Sequence, residues 1–279
     1  MPFTPAHAVV ALPFLRTPLL PAAMAIGAMA PDLPLFVRGT AISYQATHTN
    51  VVLSTMLAMA LLALWYLVLR PAVRELTPRP IAARLPGEWD ATGSAAWSAV
   101  RASRPGAERP LWGRPLVWVI SVTVSLLLGV LSHIAWDAFS HEGRWGLSVF
   151  PALAQQWGPL AGYKWVQYGS GVGGLLLLAV FGGVWLRRRP TSDVRRVLPD
   201  AVRALWWISL PLILVVAWVW GSITFGAFTS EWTPQHLAYR VLPPACAVWA
   251  VLTLALAVGI LIVRRTAVRN SDGASGAVM

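Results

Sequence analysis

The chain has 279 residues, 57% of them hydrophobic and 12% charged, with 16 tryptophans and a mean hydropathy of +0.61. That composition excludes an ordinary soluble globular domain and describes a polytopic membrane protein. The net charge of +11 does not mark a nucleic-acid binder, because the arginines cluster beside apolar runs, where they report topology and contact with anionic headgroups.

The expected fold is all-α: an integral membrane helical bundle of about five full spans, preceded by an N-terminal re-entrant or short-helix hairpin. The N-terminus lacks a basic region and a cleavage site, so no removable signal peptide is expected and insertion relies on internal spans. Residues 8–37 are apolar but broken by five prolines and Arg16. Their longest clean piece, Leu19 to Ala30, is 12 residues, too short for a hydrocarbon core that needs about 20. At its exit the chain reads Ala30-Pro31-Asp32. The helix must stop before Pro31, leaving Asp32 at its end, where a nearby cation would offset the unfavourable helix dipole. A plain Pro-Asp turn is the simpler alternative.

A polar loop, 38–50, ends at Thr47-His48-Thr49 and leads into a first span from Val51 to Leu69. Residues 70–114 hold eight arginines and four acidic residues and read as a flexible cytoplasmic loop with a short surface helix at 95–101. The second span starts at Pro115. Its last turns carry His133, Asp137 and His141 at four-residue spacing, one polar stripe on an apolar helix and a spacing suited to metal ligation. Backwards, the same step reaches Gly129, Ser125 and Ser121, a small-residue seam that lets a neighbouring helix approach and turns the stripe away from lipid. An aromatic loop with Glu142 and Lys164 follows. Gln167 and a glycine-rich run then open a third span to Leu186, where glycines permit close packing. Ala204–Phe228 and Val241–Val263 form the fourth and fifth spans. Residues 1–269 read as one transmembrane domain and 270–279 as a disordered tail.

The segments after the first, third and fifth spans hold 8, 6 and 3 arginines, which places all three on the cytoplasmic side, with the C-terminus, in a multi-pass plasma (inner) membrane protein. His48, Asp137, His141, Gln167 and His236 then meet at the outer face, joined by His7 and Asp32 if the hairpin is re-entrant. Imidazole plus carboxylate without thiolate suits zinc first, and manganese or iron as alternatives, in a one- or two-metal site. His133 and Asp137 are its centre. The bland reading makes each histidine a hydrogen-bonded interface residue, but many ionisable groups near lipid are costly.

Pro2-Phe3-Thr4-Pro5-Ala6-His7, Gly27 to Pro34, Thr47-His48-Thr49, the stretch from Ser132 to His141, and Gln167-Tyr168-Gly169-Ser170 resemble an uncharacterised family of bacterial membrane proteins. The order His, Pro-Asp, Thr-His, His-x-x-x-Asp is more distantly similar to membrane-associated proteins read as metal-dependent hydrolases, which often carry an arginine where this chain has Thr49. The resemblance implies that His7, Asp32, His48, His133 and Asp137 are metal ligands. With it comes the expectation of a hydrolase acting on lipid-linked or phosphoester substrates in the bilayer. His141 would be a further ligand or general acid, Glu142 a base, and Lys164 or Gln167 contacts to an anionic group. Three alternatives stand beside it: a transporter using the same groups as an ion relay, haem held by His48 and His133, and a purely structural polar network.

Overall fold

The computed structural model describes residues 4–92 and 114–276. The first half of the chain folds as a 3-10 helix Thr4–Phe14, α1 (Pro21–Met29), a 3-10 turn Ala30–Asp32, α2 (Leu33–Phe36), α3 (Tyr44–Thr49), α4 (Val51–Leu64), a π-helical turn Trp65–Leu69, α5 (Arg70–Leu76) and α6 (Arg79–Ala82). After it come α7 (Arg114–Ser140), α8 (Trp145–Val149), a two-residue antiparallel ladder of β1 (Gln156–Trp157) and β2 (Leu160–Ala161), α9 (Gly162–Arg187), α10 (Asp200–Phe225) and α11 (Pro234–Gly276). The protein is therefore all-α in substance. Among the described residues five helices are long and apolar enough to cross a membrane: Val51–Leu76, Leu116–Ser140, Gly162–Arg187, Asp200–Phe225 and Pro234–Thr266.

Within what reads from sequence as one transmembrane domain, two compact units can be distinguished, one of residues 4–34, 41–63 and 114–188, the other of 35–40, 64–92 and 189–276. In the first, the N-terminal segment is a hairpin of two short helices, the 3-10 helix and α1. Pro21 starts α1, where a missing N–H costs nothing. Its partner is the small-residue seam of α7. A Cβ at Gly129 would stand 2.2 Å from Met24 O, and one at Gly27 would stand 2.4 Å from Leu126 O, so the two backbones touch at glycine pairs. Beside the crossing, Leu20 N–H donates to Ser125 Oγ at 2.9 Å. The glycine-rich start of α9 packs closely at Gly174, whose Cβ would meet Ala6 O at 3.0 Å.

The second unit corrects the expectation of a loop for residues 70–92, the described part of the stretch 70–114. The first span does not end at Leu69. A π-helical turn, with Arg70 N–H reaching Trp65 O, carries the helix past Pro71 to Leu76. Arg70, Arg74 and Glu75 are buried there, Arg70 with its guanidinium over the rings of Tyr66 and Trp89 and the other two in polar contacts. Glu75 Oε1 accepts from Leu198 N–H (3.1 Å) and Arg203 (3.0 Å), and its Oε2 from Val197 N–H (3.0 Å) and Arg264 (3.4 Å). Asp90 accepts from Arg74 and Arg264. Arginine-rich sequence flanking an apolar run resembles free loop, and only the distant partners Arg203 and Arg264 reveal otherwise. The helix expected at 95–101 lies outside the described residues. At the other end α11 runs on through Gly276, into the stretch read as a tail.

Gly129→Ala should destabilise the protein by about 1–3 kcal/mol through overpacking against a backbone that cannot yield. Gly182→Ala, where a Cβ meets nothing within 4 Å, should be neutral or stabilising. Thermal unfolding in detergent distinguishes them. By the same measurement, Glu75→Ala should cost about 1–3 kcal/mol, since it strands the Val197 and Leu198 N–H groups and takes one carboxylate partner each from Arg203 and Arg264, which keep Asp200 and Asp90.

Candidate metal centre

The hairpin, α3 and α7 deliver side chains to one buried point in the first unit. On α7, His133 and Asp137 sit one turn apart on the face that meets the hairpin, both almost fully buried. Asp32 arrives from the 3-10 turn after α1, oriented by Thr4, whose Oγ1 donates to Asp32 Oδ2 at 2.7 Å. His48 arrives from α3, a six-residue helix capped by Ser43, whose side chain accepts from Ala46 N–H. Asn50 breaks that helix and Asn50 Oδ1 caps the next by accepting from Leu53 N–H. The break turns His48 inward. Thr47 Oγ1 lies 2.7 Å from Pro31 O and ties α3 to the hairpin exit.

One ligand atom from each of Asp32, His48, His133 and Asp137 lies within 4.8 Å of all the others. His48 Nε2 is 3.2 Å from His133 Nε2, and Asp137 Oδ2 is 3.4 Å from the first and 3.5 Å from the second. Asp32 Oδ1 is 3.6 Å from His133 Nε2. For a cation with ligands about 2.0–2.1 Å away at tetrahedral angles, ligand atoms stand about 3.3–3.4 Å apart, so the triangle of His48, His133 and Asp137 has the size of one face of such a site.

The tautomers sharpen this. His48 Nδ1 is 2.8 Å from Tyr44 O and His133 Nδ1 is 2.7 Å from Ala28 O. Carbonyl oxygens only accept, so each Nδ1 carries the proton and, in the neutral ring, each Nε2 presents a bare lone pair. Two bare lone pairs face each other at 3.2 Å. Such a contact is repulsive unless a cation lies between them, and carbonyl-anchored imidazoles are the usual arrangement of metal-ligating histidines.

His7, from the 3-10 helix, stacks on His133 with ring centroids 4.1 Å apart, and its Nε2 is 3.8 Å from Asp137 Oδ1. Burial first, and then the neighbouring His133, lowers the His7 pKa to about 4, which keeps the ring in its neutral, ligating form. Neither His7 Nε2 nor Asp137 Oδ1 has a hydrogen-bond partner although both are buried. Burial raises the Asp32 pKa, and His133 with the Thr4 hydroxyl opposes it. Asp137 turns Oδ2 to His48 and His133 and Oδ1 to His7 and His141, whose Nδ1 is 3.5 Å away.

The structure thus brings together His7, Asp32, His48, His133 and Asp137. His141 stands at the rim, its Nε2 2.9 Å from the Gln167 side-chain nitrogen, which donates to it from α9. Glu142 and Lys164 are not gathered in. Glu142 is exposed and accepts from the Tyr163 hydroxyl, and neither residue shares a hydrogen bond or ion pair with the cluster among the described residues. The physical reason is that α7 ends at Ser140, so Glu142 falls off the helical stripe. His236 belongs to the second unit, where its Nδ1 accepts from Thr233 N–H. Two contributors escaped the sequence reading. Tyr44 donates its hydroxyl to Asp137 Oδ2 at 3.3 Å and accepts from His48 with its carbonyl; its place four residues before His48 is the signal, legible only once 44–49 is known to be helical. Thr4, the other, lies three residues before His7.

A family model for a domain of unknown function, DUF4184, matches residues 1–263. The chain belongs to that family. No curated protein and no solved structure matches it.

Thr4→Val, which removes the hydroxyl that orients Asp32, should weaken divalent-metal binding about 10–100-fold. Competition with a fluorescent chelator measures it, and the helical content should not change.

Proposed function

We propose that this membrane protein is a metal-dependent hydrolase of lipid-linked or phosphoester substrates, with Asp32, His48, His133 and Asp137 holding a divalent cation and His7 completing the set. The observation that carries the proposal is the pair of carbonyl-anchored imidazoles whose bare Nε2 atoms meet 3.2 Å apart beside two carboxylates. The all-nitrogen-and-oxygen donor set favours zinc, with manganese or iron next. Such a cation supplies Lewis acidity and brings the pKa of a coordinated water down to about 7.

The chain's own residues supply the rest. His141 is the group placed to move the proton, held between Asp137 and the Gln167 amide. In hydrolysis the water oxygen bonds to the phosphorus or acyl carbon, the ester bond to the leaving oxygen breaks, and the water proton passes through His141 to that oxygen. Tyr44 and Thr4 fix the two carboxylates and so preorganise the charge of the site. The arginine distribution supports a multi-pass plasma-membrane protein with its basic segments and C-terminus in the cytoplasm and the site toward the outer leaflet.

The haem alternative is excluded by geometry, because no porphyrin plane passes between two nitrogens 3.2 Å apart. One other reading draws on the same contact. A single proton shared by His48 and His133, balanced by Asp32 and Asp137, would make the cluster a structural or ion-relay network.

Metal analysis of the purified protein separates the two. A stoichiometric transition metal is expected, lost in His133→Ala/Asp137→Ala. Hydrolysis of bis(p-nitrophenyl) phosphate is expected to stop with chelator and return with zinc. Metal-free protein that keeps its fold and stability would leave the shared proton as the explanation.

A further inference from the structure

A cleft of about 400 Å³ lies between the N-terminal 3-10 helix, α7 and α9, with His7, Ser132, Trp136, Ser170, Gly173 and Leu177 among its walls. Its size falls within the range of about 300–1,000 Å³ typical of small-molecule sites. The wall is apolar apart from His7 and the two serines, and the serines are occupied. Ser132 Oγ donates to Gly129 O at 2.7 Å, while Ser170 Oγ donates to Gln167 O at 3.3 Å and accepts from Trp136 Nε1 at 3.0 Å. What remains is His7. Its side chain is only 7% exposed, its Nε2 has no hydrogen-bond partner, and that nitrogen lies 3.8 Å from Asp137 Oδ1. The cleft therefore has one polar end, and that end is the metal cluster.

Its open side lies on the faces of two membrane-spanning helices. Trp136 is 45% exposed and Leu177 58%, and Val172 and Leu176 beside them on α9 are similarly bare. In a bilayer these residues meet hydrocarbon, so whatever enters the cleft there arrives from the acyl region. Gly173 shapes the wall: a Cβ at that position would meet nothing within 4 Å. Glycine at this position leaves open a strip beside the cleft.

We infer that the cleft holds one hydrocarbon chain of a membrane lipid, with the lipid's ester or phosphoester group at the His7 end against the cluster. This names the substrate class of the hydrolase proposed above and rests on that reading for the chemistry at the polar end. Chain binding itself does not depend on it. A lipid is favoured over a soluble phosphoester because the cleft opens to the acyl region and its free wall offers no donors to a polar body, leaving van der Waals packing against an acyl chain as the contact it can make.

The test uses the full chain in phosphatidylcholine vesicles containing phosphatidylglycerol with a diazirine on one acyl chain. After irradiation, labelled peptides are mapped by mass spectrometry. Label is expected to concentrate at residues 132–136 and 170–177. Gly173→Leu should reduce it about threefold or more, because the added side chain takes the space an acyl chain would fill and removes its packing contacts with the wall. Leu177→Trp, at an already exposed position, fills the cleft from the other side and should act alike. Gly182→Leu, on the same helix outside the cleft, should leave the label unchanged. Label spread evenly along α9, or indifferent to both cleft-filling variants, would overturn the inference and indicate annular lipid only. Metal content and bis(p-nitrophenyl) phosphate hydrolysis are read on the same samples. Metal-free protein that still labels at the cleft sinks the hydrolase and spares the chain site. Metal-loaded, active protein whose labelling ignores Gly173→Leu does the reverse.

Discussion

The first unit depends on the crossing of α1 and α7 at Gly27 and Gly129. Because neither position carries a side chain, two backbones come into contact where a Cβ would stand 2.2–2.4 Å from a carbonyl oxygen. That closeness is more than packing. It puts Ala28 O within 2.7 Å of His133 Nδ1 and so decides which nitrogen of His133 is bare. It also sets the turn at Ala30–Asp32 beside the next turn of α7, so that Asp32 and Asp137 come to the same point. A short hairpin that could not span a membrane is held in place by a full span, and in return it supplies two of the cluster's residues, His7 and Asp32.

Much of this was legible in the sequence, for identifiable reasons. The apolar runs are long and uncharged, so the spans announce themselves. The stripe of Ser121, Ser125, Gly129, His133 and Asp137 keeps a strict four-residue step, which a helix converts directly into one face. Boundaries were another matter. Arg70, Arg74 and Glu75 look like the end of a span because charge is normally expelled from an apolar interior, and the partners of Glu75 lie more than a hundred residues away in sequence. The helix at 44–49 was hidden for the opposite reason. Six residues, all polar but Ala46, show no apolar periodicity, and their conformation is set locally by the Ser43 cap and by Thr47 reaching Pro31. Without that helix Tyr44 could not be assigned a role.

Buried charge appears in both units, and the comparison between them is informative. Around Glu75 each carboxylate oxygen has two donors, from backbone N–H groups and arginines. Such a network is closed: its charges are compensated, its lone pairs are used, and its role is to hold residues 70–92 and 189–276 together. The cluster at His133 is open. Its histidines commit their protons outward, to carbonyls of Ala28 and Tyr44, and keep their lone pairs inward. His7 Nε2 and Asp137 Oδ1 are left without donors in a region where each unsatisfied group costs about 1–3 kcal/mol.

A fold that needed only cohesion would have used these groups on one another, donor to acceptor, as the Glu75 network does. Instead the donors around His48, His133 and Asp32 orient acceptors toward a common centre: the Thr4 hydroxyl donates to Asp32, and each imidazole donates its own Nδ1–H outward to a backbone carbonyl. An inward-facing set of acceptors repels itself in a low dielectric, and the repulsion grows as the groups approach. Positive charge at the centre, a metal cation or a shared proton, relieves that repulsion. The carbonyls that fix the tautomers also deny the imidazoles the simplest escape, which would be for one ring to flip and donate to the other. The cost is built into the backbone at the Gly27–Gly129 crossing and at the α3 cap, and such a cost persists where a ligand repays it.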